Sequence, residues 1–324
     1  TPRNYDERRE YNTFMAKCLS IFFLLFVMSA SNAFSTQEVS GNKLGRVASD
    51  GWSATARGGY IYQMDADIDG GGSFSVDHFF VQTSPNYSYG KGNSIALSLG
   101  YGFDSYAFSD EKAFGGRQPW DDVHSLGASI PWRWRINENW MGFVSPTLRY
   151  SATDGVDFDD GLTGGGVAAF SYRYSDRLTF GAGFGIMTQL EYDAQIIPIL
   201  LIQWKITDTL SLQTGQGTGA APGPGLTLSW HPNERWSILF GGRYEKLRFR
   251  LNENGAVPSG VGEDRSFPIF TGIEYHFSPR ACLSLTGGIE VGGELSLEDR
   301  EGRTLIEEKY DPAGFLGLSF SVSF

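Results

Sequence analysis

Apolar residues recur at every second position along most of this chain. In residues 314–324, GFLGLSFSVSF, the residues Leu316, Leu318, Phe320, Val322 and Phe324 alternate with Gly317, Ser319, Ser321 and Ser323. A period of two belongs to a strand with one apolar and one polar face. In 123–136, one face carries His124, Leu126, Ala128, Ile130, Trp132, Trp134 and Ile136. The other carries Val123, Ser125, Gly127, Ser129, Pro131, Arg133 and Arg135. In 178–190, Leu178, Phe180, Ala182, Phe184 and Ile186 stand against Thr179, Gly181, Gly183, Gly185, Met187 and Gln189. In 282–297, the apolar row is predicted as Leu283, Leu285, Ile289, Val291, Leu295 and Leu297. Facing the other way are Ser284, Thr286, Gly288, Glu290, Gly292, Glu294 and Ser296. From Trp52 onward almost no stretch has helical period.

The connections fall into two classes. GKGN (90–93), NEN (137–139), SDR (175–177), TDT (207–209), HPNER (231–235) and SPR (278–280) are short turn sequences. DADIDGGG (65–72), SDEKAFGGRQPWDD (109–122), DGVDFDDG (154–161), NENGAVPSGVGED (252–264) and EDREGR (298–303) are longer, acidic and glycine-rich. Hairpins counted between the short turns predict 14 strands. If 210–230, with its weak break at GAAPGPG (219–225), is one irregular element, the count is 12. Trp132, Trp134, Trp140, Tyr172, Tyr174, Trp204, Trp230 and Trp236 cluster beside the short turns. Such rings belong at a membrane–water boundary, where an apolar body and a polar tip are both satisfied.

Short turns at one end, long loops at the other and two-faced strands together predict an all-β, closed antiparallel transmembrane barrel. A soluble sandwich or propeller is the alternative. Its polar face would meet water and carry frequent charge, whereas here that face is mostly Gly, Ser and Thr, and no blade repeat is visible.

Composition adds a destination. The longest apolar run, LSIFFLLFVM at 19–28, is about half the roughly 20 residues of a spanning helix. It fits a secretory signal, with Met15-Ala16-Lys17 as its basic start and Ser31-Asn32-Ala33 as its cleavage site. Met15 is therefore expected to be the true start, with 1–33 as upstream residues plus a cleavable signal peptide. Residues 34–50 are expected to form a short periplasmic segment and 51–324 the barrel. Cys18 lacks a lipoprotein-type context. Cleavage leaves Cys282 as the only cysteine, so no intrachain disulfide is available. The formal charge of −11 becomes −12 on cleavage, which excludes a general basic surface for nucleic acid.

The final strand, ending on Phe324, resembles the carboxyl-terminal signature of Gram-negative outer-membrane proteins. That resemblance implies outer-membrane localisation and recognition of the strand by the barrel-assembly machinery through strand addition. The stretches GGRYEKLRFRLNENGAVPSGVGED (241–264), GGELSLEDREG (292–302) and YDPAGFLGLSFSVSF (310–324) resemble an uncharacterised outer-membrane barrel family, catalogued as a domain of unknown function. The resemblance implies fold and location, and lends no activity or site residues.

Candidate chemistry is sparse. Asp65, Asp67, Asp69 and Gly70 spell the first half of a calcium loop, but Val76 stands where the closing glutamate is needed and the flanks are strands. The segment reads better as a solvated hairpin loop. The acidic loops together are expected near lipopolysaccharide, where divalent cations bridge phosphates. No histidine sits in a metal-ligand spacing, and neither G-x-S-x-G nor H-E-x-x-H occurs. Ser125 beside His124 and Ser278 near His276 are neighbours only in sequence. No enzyme activity and no cofactor are expected.

The lumen charges say more. Arg133, Arg135, Arg149 and Arg173 are predicted inward on strands four to six. Glu245, Glu274, Glu290 and Glu294, with Arg243 among them, are predicted inward on strands eleven to thirteen. Opposed basic and acidic walls would orient polar solutes, as in general porins; the alternative is local pairing that keeps the lumen wet. In 236–251 the apolar row moves from even numbers to odd, which predicts a β-bulge near 245–246. Lys246, Arg248 and Arg250 would then point inward or belong to a solvated extension above the bilayer. The expected function is a porin-like passive channel for small polar solutes. A structural or adhesive barrel is the alternative, and a lipid-modifying enzyme a more distant one.

Overall fold

The structure is a computed structural model that describes residues 50–324 apart from 91, 111 and 216–223. The expected signal peptide, and all but the last residue of the 34–50 segment, lie outside the described residues. So does most of the 219–225 break.

The β segments, in chain order, are β1 (Gly51–Asp67), β2 (Ser73–Tyr89), β3 (Asn93–Ala96), β4 (Ser98–Ser109), β5 (Val123–Ser129), β6 (Trp132–Arg135), β7 (Trp140–Thr153), β8 (Leu162–Ser175) and β9 (Leu178–Gln189). There follow β10 (Tyr192–Lys205), β11 (Leu210–Thr214), β12 (Gly225–Trp230), β13 (Trp236–Arg243), β14 (Glu245–Arg250), β15 (Val261–Ser278), β16 (Ala281–Glu298), β17 (Thr304–Tyr310) and β18 (Ala313–Ser323). Four pairs of segments (β3–β4, β5–β6, β13–β14 and β17–β18) are each one interrupted strand, so the ring has 14 strands. Antiparallel pairing of neighbours runs right round, and β1 meets β18 with Tyr60 opposite Leu318 to close it. The segments β11 and β12 pair with Leu210 opposite Trp230, which resolves the uncertain region as two strands.

Burial runs opposite to that of a soluble protein. On β13, Trp236, Ile238 and Phe240 are exposed while Ser237, Leu239, Gly241 and Arg243 are buried. On β18, Leu316, Leu318 and Phe320 are about half exposed (52, 50 and 46%), and the Gly/Ser row faces inward. An apolar exterior over small inward residues fits hydrocarbon outside the barrel, and every backbone group finds a partner in a closed ring. The girdle is present at the short-turn end. Trp140 lies 5.0 Å from Tyr172, and Trp236 lies 4.9 Å from Tyr275, between ring centroids. Phe324 is exposed at the β1–β18 seam, its N–H donating to the Ala54 carbonyl at 2.8 Å.

The outer end departs from a plain cylinder. On β16, the pairing shifts between Val291–Phe267 and Glu294–Arg265, and Gly292 takes the left-handed φ of 64° that a bulge needs. One extra residue there reverses the faces. Leu295 and Leu297, expected toward lipid, turn inward and are fully buried, while Glu294 turns outward. A similar shift between Gln63 and Ala66 turns Ala66 and Ile68 inward, leaving Asp65, Asp67 and Asp69 on the exposed side of the hairpin tip.

The bulge expected at 245–246 is absent. Gly242 pairs with Ile269 and Glu245 with Ser266, so the register is continuous through Tyr244. Leu247, Phe249 and Leu251 consequently face inward, and Lys246, Arg248 and Arg250 lie on the outer face of the sheet.

The inward apolar residues of this outer region pack into one core. It contains Phe74, Val76, Tyr106, Trp120, Val123, Phe249, Leu295, Leu297 and Tyr310, with Phe114 from the 110–122 loop. Trp120 meets Phe249 edge-on at 5.2 Å, and Phe74 meets Tyr310 at 4.9 Å. For this to happen, β14 with the outer parts of β15, β16 and β17 must lean across the mouth. Two contacts mark the crossing directly: Arg250 of β14 bridges Ala152 of β7, and the Asn252 N–H donates to Thr153 Oγ1 at 3.0 Å. These segments form a lid over the barrel.

Candidate functional site

Beneath the lid lies a cavity of ≈ 70 Å³. Its polar walls come from Gln63 and His78 on β1 and β2, Asp104 on β4, Arg149 on β7, Arg243 and Glu245 at the β13–β14 junction, Asp264 on β15 and Glu290 on β16. Ile61, Phe315 and Pro268 supply apolar wall, and Tyr106 and Leu247 close the top. Inward parity places every one of these side chains. His78 pairs across strands with Asp104, and Gln63 with Val76 and Phe315.

Several of the charges satisfy one another. His78 Nδ1 lies 2.7 Å from Asp104 Oδ1, and Arg243 forms an ion pair with Glu245. Asp264 accepts hydrogen bonds from the hydroxyls of Tyr106 (2.9 Å) and Tyr310 (3.2 Å). Three groups are left over. Glu290, buried and hydrogen-bonded by Ser266, joins no ion pair among the described residues. Nor does Arg149. The buried Gln63 Nε2 has no hydrogen-bond partner.

The charges predicted as opposed walls fall in different places. Arg149 shares one cavity with Glu245 and Glu290. Arg133, Arg135, Arg173 and Glu274 are on inward positions but nearer the short-turn end, away from that cavity. Arg135 donates to the Asn137 carbonyl at 3.0 Å, and Arg173 is exposed beside its turn. Glu294 leaves the lumen altogether and pairs with Arg265 on the outer face of the lid.

The basic run 246–250 is not solvated either. Lys246 pairs with Glu263 at 2.9 Å, and Arg248 pairs with Glu263 at 2.7 Å and also with Glu298. Arg248 further donates to the Leu190 carbonyl at 3.0 Å and stacks 4.8 Å above the Tyr192 ring. Arg250 pairs with Glu191, which turns the β9–β10 connection with a φ of 65°. The lid thus has an apolar underside and a charged upper side latched to loops of the opposite wall.

Outward residues on β15 from Phe267 to Phe277 are uncharged and, Thr271 apart, apolar or aromatic, whereas Arg265 and Glu263 are charged, so the bilayer ends near position 267. Asp264 lies beyond it. Burial raises its carboxyl to about 6, against the lowering effect of the Tyr106 hydroxyl, nearby His78 and the Tyr310 hydroxyl. Burial also pushes Glu263 upward, but Lys246 and Arg248 outweigh it and hold the group below its ordinary 4.5.

Sequence reasoning missed a second cluster, at the short-turn end. Ser237 Oγ lies 2.9 Å from His276 Nε2 and 2.8 Å from His231 Nδ1. Glu274 approaches the same His276 nitrogen, at 3.8 Å. An orienting carboxylate in a hydrolytic triad must hold the opposite ring nitrogen, so this is not one. Among the described residues no group of three or more His, Cys, Asp or Glu is placed to hold a metal ion.

Among solved structures, the chain is similar to an outer membrane channel from Pseudomonas putida F1, at 11% identity over 89% of this chain and 100% of that chain, with a TM-score of 0.47. It is also similar to a Pseudomonas aeruginosa FadL homologue, at 12% identity over 84% and 89% of the two chains, TM-score 0.44. A third is Pseudomonas putida OprB, at 10% identity over 85% and 94%, TM-score 0.37. No curated protein matches the chain. A family model matches residues 104–324, and the chain belongs to that family, described as Domain of unknown function (DUF6268).

Proposed function

We propose that this chain is a passive outer-membrane channel for small polar solutes, held shut at rest by its lid. The observation that carries this reading is the chamber. An unpaired arginine and an unpaired glutamate face one cavity inside a closed barrel whose exterior suits lipid. Buried charge of this kind is costly, and charges lining a pore orient and select what passes. A solute route needs the lid to part. The apolar core beneath the lid opposes that movement, and the polar contacts that latch the lid's upper side are the part a substitution can release.

The test is conductance of the purified protein in planar bilayers, together with swelling of proteoliposomes in small sugars and amino acids. The expected record is brief unit steps in both polarities, with swelling in the smaller solutes. No steps in either polarity and no swelling would overturn the proposal. That result would favour a second reading, a non-conducting structural barrel, which draws its support from the aromatic core filling the mouth.

A further inference from the structure

We propose that the chamber binds a small zwitterion carrying one carboxylate and one ammonium group, the pattern of a small α-amino acid. This deepens the channel reading by naming the class of solute, and it rests on that reading only for the route by which the solute arrives.

The pairs His78–Asp104 and Arg243–Glu245 consume their own charges. What faces the cavity without an ionic partner is Arg149 from β7, and Glu290 and Asp264 from the far side of the ring. Arg149 offers a planar fork of N–H donors, the geometry that matches a carboxylate. Glu290 is an acceptor with no cation in ion-pair contact among the described residues, His78 acting on it only from farther off, and Asp264 is hydrogen-bonded by two tyrosine hydroxyls. The buried Gln63 Nε2 is a further donor with no partner, on a residue that lines the same space. A cation alone would leave Arg149 uncompensated, and an anion alone would leave Glu290 so. A molecule with both charges relieves both walls at once.

Size agrees with this. A water occupies about 10–15 Å³ on this measure, so the cavity holds about five waters, or a solute of about five or six heavy atoms. Glycine and alanine are of that size. Ile61, Phe315 and Pro268 offer apolar surface to a methyl group but leave no space for a long side chain.

The test is titration calorimetry of the detergent-solubilised protein with glycine, acetate and methylamine as probes. Glycine is expected to bind saturably, at least tenfold more tightly than either of the others. Arg149→Met and Glu290→Gln should each weaken glycine at least tenfold, with folding verified by unchanged heat-modifiable mobility on gels. Arg248→Met, which loosens the lid without touching the chamber, guards against a closed mouth hiding the site. Acetate or methylamine binding as tightly as glycine would overturn the proposal. So would glycine affinity unchanged in both chamber variants, or no saturable heat in either the native protein or Arg248→Met. Liposome swelling separates the two ideas. Saturable glycine binding without glycine flux removes the channel and keeps the site; flux without saturable binding keeps the channel and removes the site.

Discussion

Replacing Arg248 by methionine should convert a mostly closed barrel into a mostly open one. Arg248 is the centre of the latch. Its guanidinium serves Glu263, Glu298 and the Leu190 carbonyl together, and both carboxylates are more than nine-tenths buried. Removing one member of a buried ionic set strands the others, at a cost of about 3–5 kcal/mol to the state that buries them. Here that state is the closed lid, because the open lid returns Glu263 and Glu298 to water. At about 1.4 kcal/mol per factor of ten, the open-to-closed ratio should rise by roughly two to three and a half orders of magnitude. Methionine keeps the apolar stem but gives up the guanidinium stacked on Tyr192, which adds to the loss. The measurement is single-channel open probability. An Arg248→Lys variant should fall between native and methionine, since an ammonium cannot reproduce the forked contact. An Arg248→Met barrel that folds but opens no more often than native would show that the latch does not control the mouth.

Openings should also be rarer at pH 4.5 than at pH 7.5. Asp264 sits in the closed lid among Tyr106, Tyr310, His78, Glu245 and Glu290, and burial raises its carboxyl from the ordinary 3.8 to about 6. A raised acid binds its proton more tightly in the closed state than when solvated. Closure is therefore favoured fully below about 4, and that advantage is lost as pH rises through 6. A carboxyl raised that far favours closure by roughly 3 kcal/mol at most between those limits. Glu263 acts in the opposite sense. Lys246 and Arg248 hold it low against burial, so its contribution is present above 4.5 and fails only as pH falls below that. The lid should accordingly be tightest near pH 4 to 5. Asp264→Asn keeps the shape and removes this titration, so its open probability should change much less than the native protein's between pH 4.5 and 7.5. A native-like slope in Asp264→Asn, or a native protein that opens more at pH 4.5, would contradict this assignment.

The barrel wall is readable from the chain because a strand's period of two admits no drift. Leu316 to Phe324, Leu178 to Ile186 and the even row of 124–136 face outward as their parity requires. The short turns and their tryptophans fix which end is which. The lid is not readable. Its outward and inward rows are set by bulges, and a single inserted residue reverses everything beyond it. The reversal expected at 245–246 is found instead at Gly292, where the paired glycines 292 and 293 are the available signal: one takes a left-handed φ, and a side chain on the other would overlap the Tyr310 ring. Leu247, Phe249 and Leu251 look like a lipid-facing row because an apolar core inside a folded-over strand has the same spacing. The chamber is half visible. Arg149, Glu245 and Glu290 are legible as inward charges, but Gln63, His78, Asp104 and Asp264 join them only when strands from all round the ring close on one space.

The central claim is that movement of β14–β17 away from β7 opens the chamber. A disulfide across the single bridge between the lid and the opposite wall, Ala152→Cys with Arg250→Cys, tests it most directly, because Cys282 is the only other cysteine among the described residues and is buried. Single-channel current would be recorded on one preparation, oxidised and then reduced. Silent bilayers on oxidation and frequent unit steps after reduction are the predicted result. Equal current in the two states would mean that solutes pass by another path, or that the lid is not a gate.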